Sequence, residues 1–272
     1  MTDTRRMPAR AEASPLLAPI ADLASEAGAR ILEIVEKGFA ARTKADQSPV
    51  TAADEAAEAI LTEGLARLLP DVPVIAEESV SRHEPAHPPA AYFLVDPVDG
   101  TREFIAGRSE YTVNVALIEN HQPVLGVIYA PALHLLYAGC GGRALRAEVE
   151  PGSRFDPKRA AEIRARPRPE RLVALLSRTH PDAKSDEFLT RLPVERTERL
   201  GSSLKFARIA EGVADVYARL ASVNEWDIGA GHALLAAAGG SVTAPDGGMI
   251  AYGTRERGFR IDGFVAWGAP PE

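Results

Sequence analysis

The sequence predicts a layered α/β fold, open sheets covered by helices, and three observations carry that expectation. Apolar residues recur at helical spacing from Leu16 through Ile20, Leu23, Ala27 and Ile31 to Ile34. Residues 111–118 alternate in the manner of a strand, and after Asn120-His121-Gln122-Pro123 residues 124–129 return as the second arm of a hairpin. From Leu172 onward short apolar runs alternate with helical segments, the pattern of a sheet with covering helices.

Taken in order, Ser14-Pro15 opens the first helix, an N-cap followed by proline at the first position, and the periodicity carries it to about Lys37. A polar loop over 42–49 leads to Thr51-Ala52-Ala53-Asp54, a capping-box variant that opens a helix over 52–69, closed by Pro70. Residues 72–77 read as a short strand ending in Glu77, and 79–90 as a surface loop. On that strand reading Glu78 faces away from Glu77. Tyr92-Phe93-Leu94-Val95 is a buried strand that should run up to Asp96, because Pro97 holds the residue before it extended. Pro97 then presets a turn and Gly100 leaves it.

A third strand is expected over 133–137, and the glycines at 139–142 read as the end of one half of the molecule. Residues 147–170 show little periodicity and read as an irregular crossing. Beyond them come a strand (172–176), a helix (181–192), a strand (194–200), a helix (202–211) and a strand (214–220). A helix over 226–238 is stopped by Gly239-Gly240, and strands at 241–243 and 263–267 finish the chain. The expected organisation is therefore a tail (1–13), an N-terminal half (14–140) and a C-terminal half (141–272).

Composition narrows the function. At 46% apolar and 25% charged residues the chain is an ordinary globular one. A net charge of −7 argues against a nucleic-acid polymer as partner but leaves room for a small phosphorylated substrate in a local basic pocket. Cys140 is the only cysteine, so neither a disulfide framework nor a cysteine zinc site is expected, and a reducing cytoplasm fits. The six histidines are scattered and do not suggest a histidine metal site. No apolar run reaches the length of a membrane span, and no apolar stretch directly follows Arg5, Arg6 and Arg10, so the tail reads as frayed rather than as a signal peptide.

Acidic residues stand at the ends of four predicted elements: Asp54 and Asp227 at helix starts, Glu77 after a strand, Asp96 and Asp99 in the turn. Asp54 and Asp227 also have an ordinary reading, since carboxylates suit helix N-termini. Five carboxylates bracketing apolar elements are another matter, because buried like charges are costly unless a cation neutralises them. Asp96, Asp99, a carbonyl assigned to Val98 and the Thr101 hydroxyl make an oxygen-rich strand end that suits Mg2+.

The chain resembles the lithium-sensitive, magnesium-dependent inositol monophosphatase superfamily, most densely its branch of 3′(2′),5′-bisphosphate nucleotidases. The carrying segments are Lys44-Ala45-Asp46-Gln47-Ser48-Pro49-Val50-Thr51-Ala52-Ala53-Asp54, then residues 72–78, 94–105, 111–118 and 126–131. Ser177-Arg178-Thr179-His180, Gly201-Ser202-Ser203-Leu204-Lys205-Phe206 and Asn224-Glu225-Trp226-Asp227, running into Gly231-His232, complete the match over residues 44–240.

The resemblance implies an αβαβα sandwich with two β-sheets. It also implies a Mg2+-dependent phosphomonoesterase, with two or three ions, that removes the 3′-phosphate of adenosine 3′,5′-bisphosphate, and a place in sulfur metabolism. It makes Glu77, Asp96, Asp99, Asp227 and the Val98 carbonyl metal ligands. Asp54 and Thr101 become the pair that orients and deprotonates the attacking water, beside Glu77, and Gly100, Thr101 and Asp227 also face the substrate. Two or three Mg2+ would activate water and steady both oxygens of an in-line displacement, so no side-chain nucleophile is required.

Ser202, Ser203 and Lys205 sit at a predicted helix start, an anion site through free N–H groups and dipole. Arg219 can add a guanidinium fork, while His180 and Ser177, at a strand end, are candidates for ribose or phosphate contacts. Tyr217-Ala218-Arg219 and Leu220-Ala221-Ser222-Val223 depart from the family's more Pro- and Gly-rich pattern, which bears on the nucleotide fit. The alternative on the same scaffold is an inositol or sugar phosphate phosphatase. A phosphatase using an aspartate nucleophile in D-x-D-G-T does not fit, since two residues separate Asp96 from Asp99. A purely binding protein would not need Thr101 with Asp54. A monomer or homodimer is expected, cytoplasmic or peripheral on the inner membrane.

Overall fold

The computed structural model describes residues 14–43, 49–80, 89–253 and 258–270. The expected tail, most of the 79–90 loop and the Lys44 to Ser48 stretch of the resemblance lie outside the described residues. Helix α1 (Leu17–Lys37) is followed by short paired strands β1 (Ala41–Thr43) and β2 (Pro49–Thr51), helix α2 (Ala52–Leu68), strand β3 (Val74–Ala76) and a single turn, α3 (Glu77–Val80). Strand β4 (Ala91–Asp99) leads through α4 (Thr101–Ile105) into a meander of β5 (Thr112–Glu119), β6 (Gln122–Ala130), β7 (Leu135–Cys140), β8 (Arg143–Glu148) and β9 (Ala161–Ile163). Then come β10 (Leu172–Ser177), α5 (Ala183–Thr190), β11 (Val194–Leu200), α6 (Leu204–Ala210), β12 (Val216–Arg219), β13 (Val223–Asn224) and α7 (Glu225–Ala237). Strands β14 (Ser241–Thr243), β15 (Arg260–Ile261) and β16 (Phe264–Trp267) finish the fold.

The larger sheet has seven strands in the order β3-β4-β5-β6-β7-β8-β9, and the smaller has five, β11-β10-β12-β16-β14. Side-chain alternation along β4 and β5 shows how the layers arise. Phe93, Val95, Val113 and Val115 point into one core with Ile20, Ile31, Leu61 and Leu65 of α1 and α2. Leu94, Ala116 and Ile118 point the other way, into a core shared with α6, α7 and Tyr217 and Phe264 of the smaller sheet. That sheet's far face, Leu172, Ala174, Val216 and Trp267, packs on Phe188 and Leu189 of α5. Helices, sheet, helices, sheet, helix: the molecule is an αβαβα sandwich.

Three differences from the sequence reading have physical causes. Strand β4 does not stop at Asp96 but runs through Pro97 to Asp99. Asp96 pairs with Asn114 and Asp99 with Thr112, so the register slips by a bulge that accommodates a residue lacking an N–H. The glycines at 141 and 142, at φ 59° and 81°, close a hairpin, and the sheet continues past residue 140 through β9. The strand before Glu77 ends at Ala76, so Glu77 and Glu78 share a helical turn rather than opposite strand faces. Glu78 is itself buried, and its backbone N–H donates to Glu58 Oε2 at 2.8 Å.

Helix α7 delivers Asp227, and two glycines set how closely it lies on the large sheet. Gly126 and Gly139 are cross-strand partners on β6 and β7. A Cβ on Gly126 would strike the Ala230 carbonyl, and one on Gly139 would come within 2.6 Å of Leu234 Cα. Because the obstacle is helix backbone, it cannot swing aside. Gly126→Ala is therefore expected to destabilise the fold by about 1–3 kcal/mol, the usual cost of overpacking, read as a lowered midpoint of thermal or urea unfolding.

Candidate active site

The bulged end of β4, the starts of α3, α4, α6 and α7, and the ends of β10 and β12 meet around one cavity of about 440 Å³. Its lining combines Glu77, Asp96, Val98, Asp99, Thr101 and Asp227 with the basic side chains of Arg102, His180, Lys205, Arg219 and Arg260. Every site residue expected from the sequence lines it except Asp54.

The acids are held by backbone. Asp96 Oδ1 accepts from Val98 N at 3.1 Å, a short loop inside the bulge. Asp99 Oδ2 accepts from Ser203 N at 2.5 Å and from Asn114 Nδ2 at 3.2 Å. Asp227 occupies the third position of α7 and closes a capping box with Asn224, whose N–H it accepts at 2.8 Å. Thr101 Oγ1 donates to the Val98 carbonyl at 3.1 Å. Gly100, at φ 89°, takes the left-handed turn that swings the chain from β4 into α4.

Asp54 is in a second capping box, at the start of α2. Its Oδ2 accepts both the N–H and the hydroxyl of Thr51 at 2.7 Å, and it is 2% exposed. The capping role, weighed for it from sequence, is realised.

The electrostatics suit a cation. Asp227 is pushed well above the usual carboxylate range by burial, then by the charges of Asp99 and Glu77. Asp99 is pushed up to about 6 by burial, against the pull of Lys205 and of its hydrogen bonds. Among the described residues no three such side chains stand as a closed ligand cluster. The donors nevertheless form an all-oxygen set of mutually repelling carboxylates, the chemistry that hard divalent cations satisfy.

The basic side corrects two expectations. Lys205 is not a projecting point charge: it is 4% exposed, its Nζ donates to the carbonyls of Leu200 at 3.2 Å and Ser202 at 2.6 Å, and it lies 4.9 Å over the Tyr217 ring. Burial pulls it down to about 8, opposed by Asp99. Nor is the Ser203 N–H free for an anion, since it serves Asp99, while the Ser203 hydroxyl donates to Asn114 Oδ1 at 2.7 Å. Arg219 stands at the end of β12 as expected, with Nη1 on the His180 carbonyl. Ser177 Oγ accepts the His180 N–H at 3.2 Å.

Sequence reasoning passed over Glu103, Thr179, Asn114 and Glu110. Glu103 lines the cavity at 1% exposure and accepts from the Thr179 hydroxyl at 2.8 Å. Glu110 accepts the Gly201 N–H and both arms of Arg178, each arm at 2.8 Å, and so ties the loop before β5 to the smaller sheet. Glu103, Asn114 and Thr179 lie inside the resembling segments and Glu110 directly before one, which was their only sequence signal.

Comparison with known proteins agrees with this architecture. The family model described as the inositol monophosphatase family matches residues 12–262, and the chain belongs to that family. It is similar to the 3′(2′),5′-bisphosphate nucleotidase CysQ of Escherichia coli, 41% identical over 253 residues that cover 90% of this chain and 99% of that one. Among solved structures it is similar to CysQ from Bacteroides thetaiotaomicron, a bacterial member of the same family. That likeness has a TM-score of 0.78 and 31% identity, covering 93% of this chain and 97% of the other. An inositol monophosphatase from Anabaena gives a TM-score of 0.71 at 26% identity, covering 94% and 91%.

Proposed function

We propose that the chain is a Mg2+-dependent phosphomonoesterase that hydrolyses the 3′-phosphate of adenosine 3′,5′-bisphosphate to AMP and phosphate, and accepts its sulfated precursor. The observation that carries this is one cavity whose lining combines carboxylates with arginines, within the usual size range of a small-molecule site. A bisphosphate nucleotide answers both sides: the scissile phosphate goes to the acids through a cation, the second phosphate to the basic wall. The resemblance to nucleotidases over nine-tenths of the chain points the same way.

In this reading Glu77, Asp96, Asp99, Asp227 and the Val98 carbonyl hold two or three Mg2+. Bound there, Mg2+ supplies Lewis-acid chemistry that lowers the pKa of water and offsets charge on the phosphoryl oxygens. Thr101, which lines the cavity, orients the attacking water, and Asp54, backed by Thr51 and outside the lining, takes the proton by way of Thr101. Gly100 and the turn it makes hold Thr101 against the phosphate. Ser202 and Lys205 shape the floor beneath Asp99, and His180, Ser177 and Arg219 form the wall for the nucleotide. The N-terminal half supplies most of the acids and the C-terminal half most of the substrate wall. No described helix is long and apolar enough to cross a membrane, and we place the protein in the cytoplasm as a monomer or homodimer.

A phosphate-release panel with saturating Mg2+ tests the reading. Adenosine 3′,5′-bisphosphate is expected to be turned over with the highest kcat/KM, ahead of inositol phosphate and fructose bisphosphate. A clear preference for inositol phosphate would overturn the nucleotidase assignment and leave a phosphatase. No release from any of them would overturn both.

A further inference from the structure

Thr179 sits between two groups that compete for its single proton. Its Oγ1 lies 2.8 Å from Glu103 Oε1 and 3.2 Å from His180 Nδ1. A carboxylate can only accept, and the contact to it is the shorter, so the hydroxyl proton goes to Glu103. What Thr179 then turns toward His180 is a lone pair. The 3.2 Å contact becomes a hydrogen bond only when Nδ1 carries the hydrogen, and a neutral imidazole protonated there has an acceptor at Nε2.

We propose that Glu103 and Thr179 are positioning residues that hold His180 as its Nδ1–H tautomer, so that Nε2 accepts a hydrogen bond from a hydroxyl or amino group of the substrate and takes no part in holding phosphate. The side chain of His180 is exposed to the cavity, yet the surrounding walls, and then Arg102, Arg219 and Lys205, bring it down to about 4. The ring is therefore neutral at pH 7. Its backbone is fixed on both sides, the N–H on Ser177 Oγ and the carbonyl on Arg219 Nη1. Glu103 comes from α4, directly after the acidic turn, and Thr179 from the loop after β10. The contact that sets the tautomer thus also couples the substrate wall to the turn that bears Asp99.

The phosphatase reading enters only in naming the substrate; the tautomer can be read without it. Long-range nitrogen–proton correlation spectra of the 15N-labelled full chain, without substrate, should show His180 with its hydrogen on Nδ1. Thr179→Val should move it to the Nε2–H form favoured in water, and Thr179→Ser should keep the wild-type pattern. Glu103→Gln, able to donate where the carboxylate only accepted, should move it as Thr179→Val does. With adenosine 3′,5′-bisphosphate, Thr179→Val should raise KM about fivefold to tenfold, one lost hydrogen bond, with kcat little changed and Thr179→Ser restoring KM. An Nε2–H pattern in the wild type, or an unchanged pattern in both Thr179→Val and Glu103→Gln, overturns the proposal. Failure of the phosphatase reading would look different: no phosphate release from any substrate, with the spectra as expected.

Discussion

Asp99→Asn is expected to lower phosphate release by about a hundredfold or more, the scale of losing one strong electrostatic stabiliser, and excess chelator should abolish activity until Mg2+ is restored. Asparagine keeps the shape of the side chain. Its oxygen can still accept the Ser203 N–H that Asp99 takes at 2.5 Å, so the junction between β4 and α6 survives. What goes is the charge, at the point where Asp99 adds to burial in raising the pKa of Asp227 and where a cation is most needed. The measurement is kcat against Mg2+ concentration for wild type and variant, with circular dichroism to show that both are folded. Full activity in excess chelator would remove the metal from the mechanism. A wild-type rate in Asp99→Asn would remove Asp99 from the site.

The acidic half of this site was legible because its cause is local. Apolar residues from Tyr92 to Val95 mark a buried strand, and Asp, Pro and Gly directly after it mark where the backbone must bend and expose oxygen. Asp227 was legible for the same reason, as an acid at the start of a periodic run. The helix positions and the alternation of the second half follow from periodicity and appear in the αβαβα layers.

What could not be read depends on partners far along the chain. Lysine is a surface residue by default, and nothing near Lys205 announces that β11, Ser202 and Asp99 will enclose it. The Ser203 N–H reads as a free helix-start donor until Asp99, 104 positions away, claims it. The glycines at 139–142 read as the end of one half, and only the pairing of β7 with β8 shows that Gly141 and Gly142 turn a hairpin. Asp54 carried two compatible roles; the structure displays the capping one, because Thr51 is its sequence neighbour and supplies two donors to the same oxygen.

Lys205 and Arg219 look interchangeable in the sequence, and their truncation should separate them. Lys205→Ala removes a buried ammonium and leaves the carbonyls of Leu200 and Ser202, and the charge of Asp99, without it. Burying that ammonium is itself costly, as its pKa of about 8 shows, and its loss relieves that cost. The Leu200 carbonyl keeps the Arg178 N–H, and Asp99 keeps the Ser203 N–H and Asn114. The Ser202 carbonyl, however, loses its donor, at about 1–3 kcal/mol, and Asp99 loses an opposing charge, which together should outweigh the relief. We therefore expect Lys205→Ala to melt at lower temperature and to lose turnover of every phosphate ester alike, because the floor under Asp99 moves. Arg219 is different: half-exposed on the cavity wall, it has only Nη1 engaged among the described residues, on the His180 carbonyl. Its remaining donors suit a phosphate distant from the acids, and binding energy spent there holds the scissile group in line. Arg219→Ala should lower kcat/KM for adenosine 3′,5′-bisphosphate by about tenfold to a hundredfold, one charge-assisted hydrogen-bonded contact, while a nucleoside 3′-monophosphate loses less than about threefold. Arg219→Lys should recover only part of the loss, because the charge returns without the fork. Equal losses on both substrates in Arg219→Ala would assign Arg219 to the scissile phosphate or to the fold, and the second phosphate would then have to be met elsewhere on the wall.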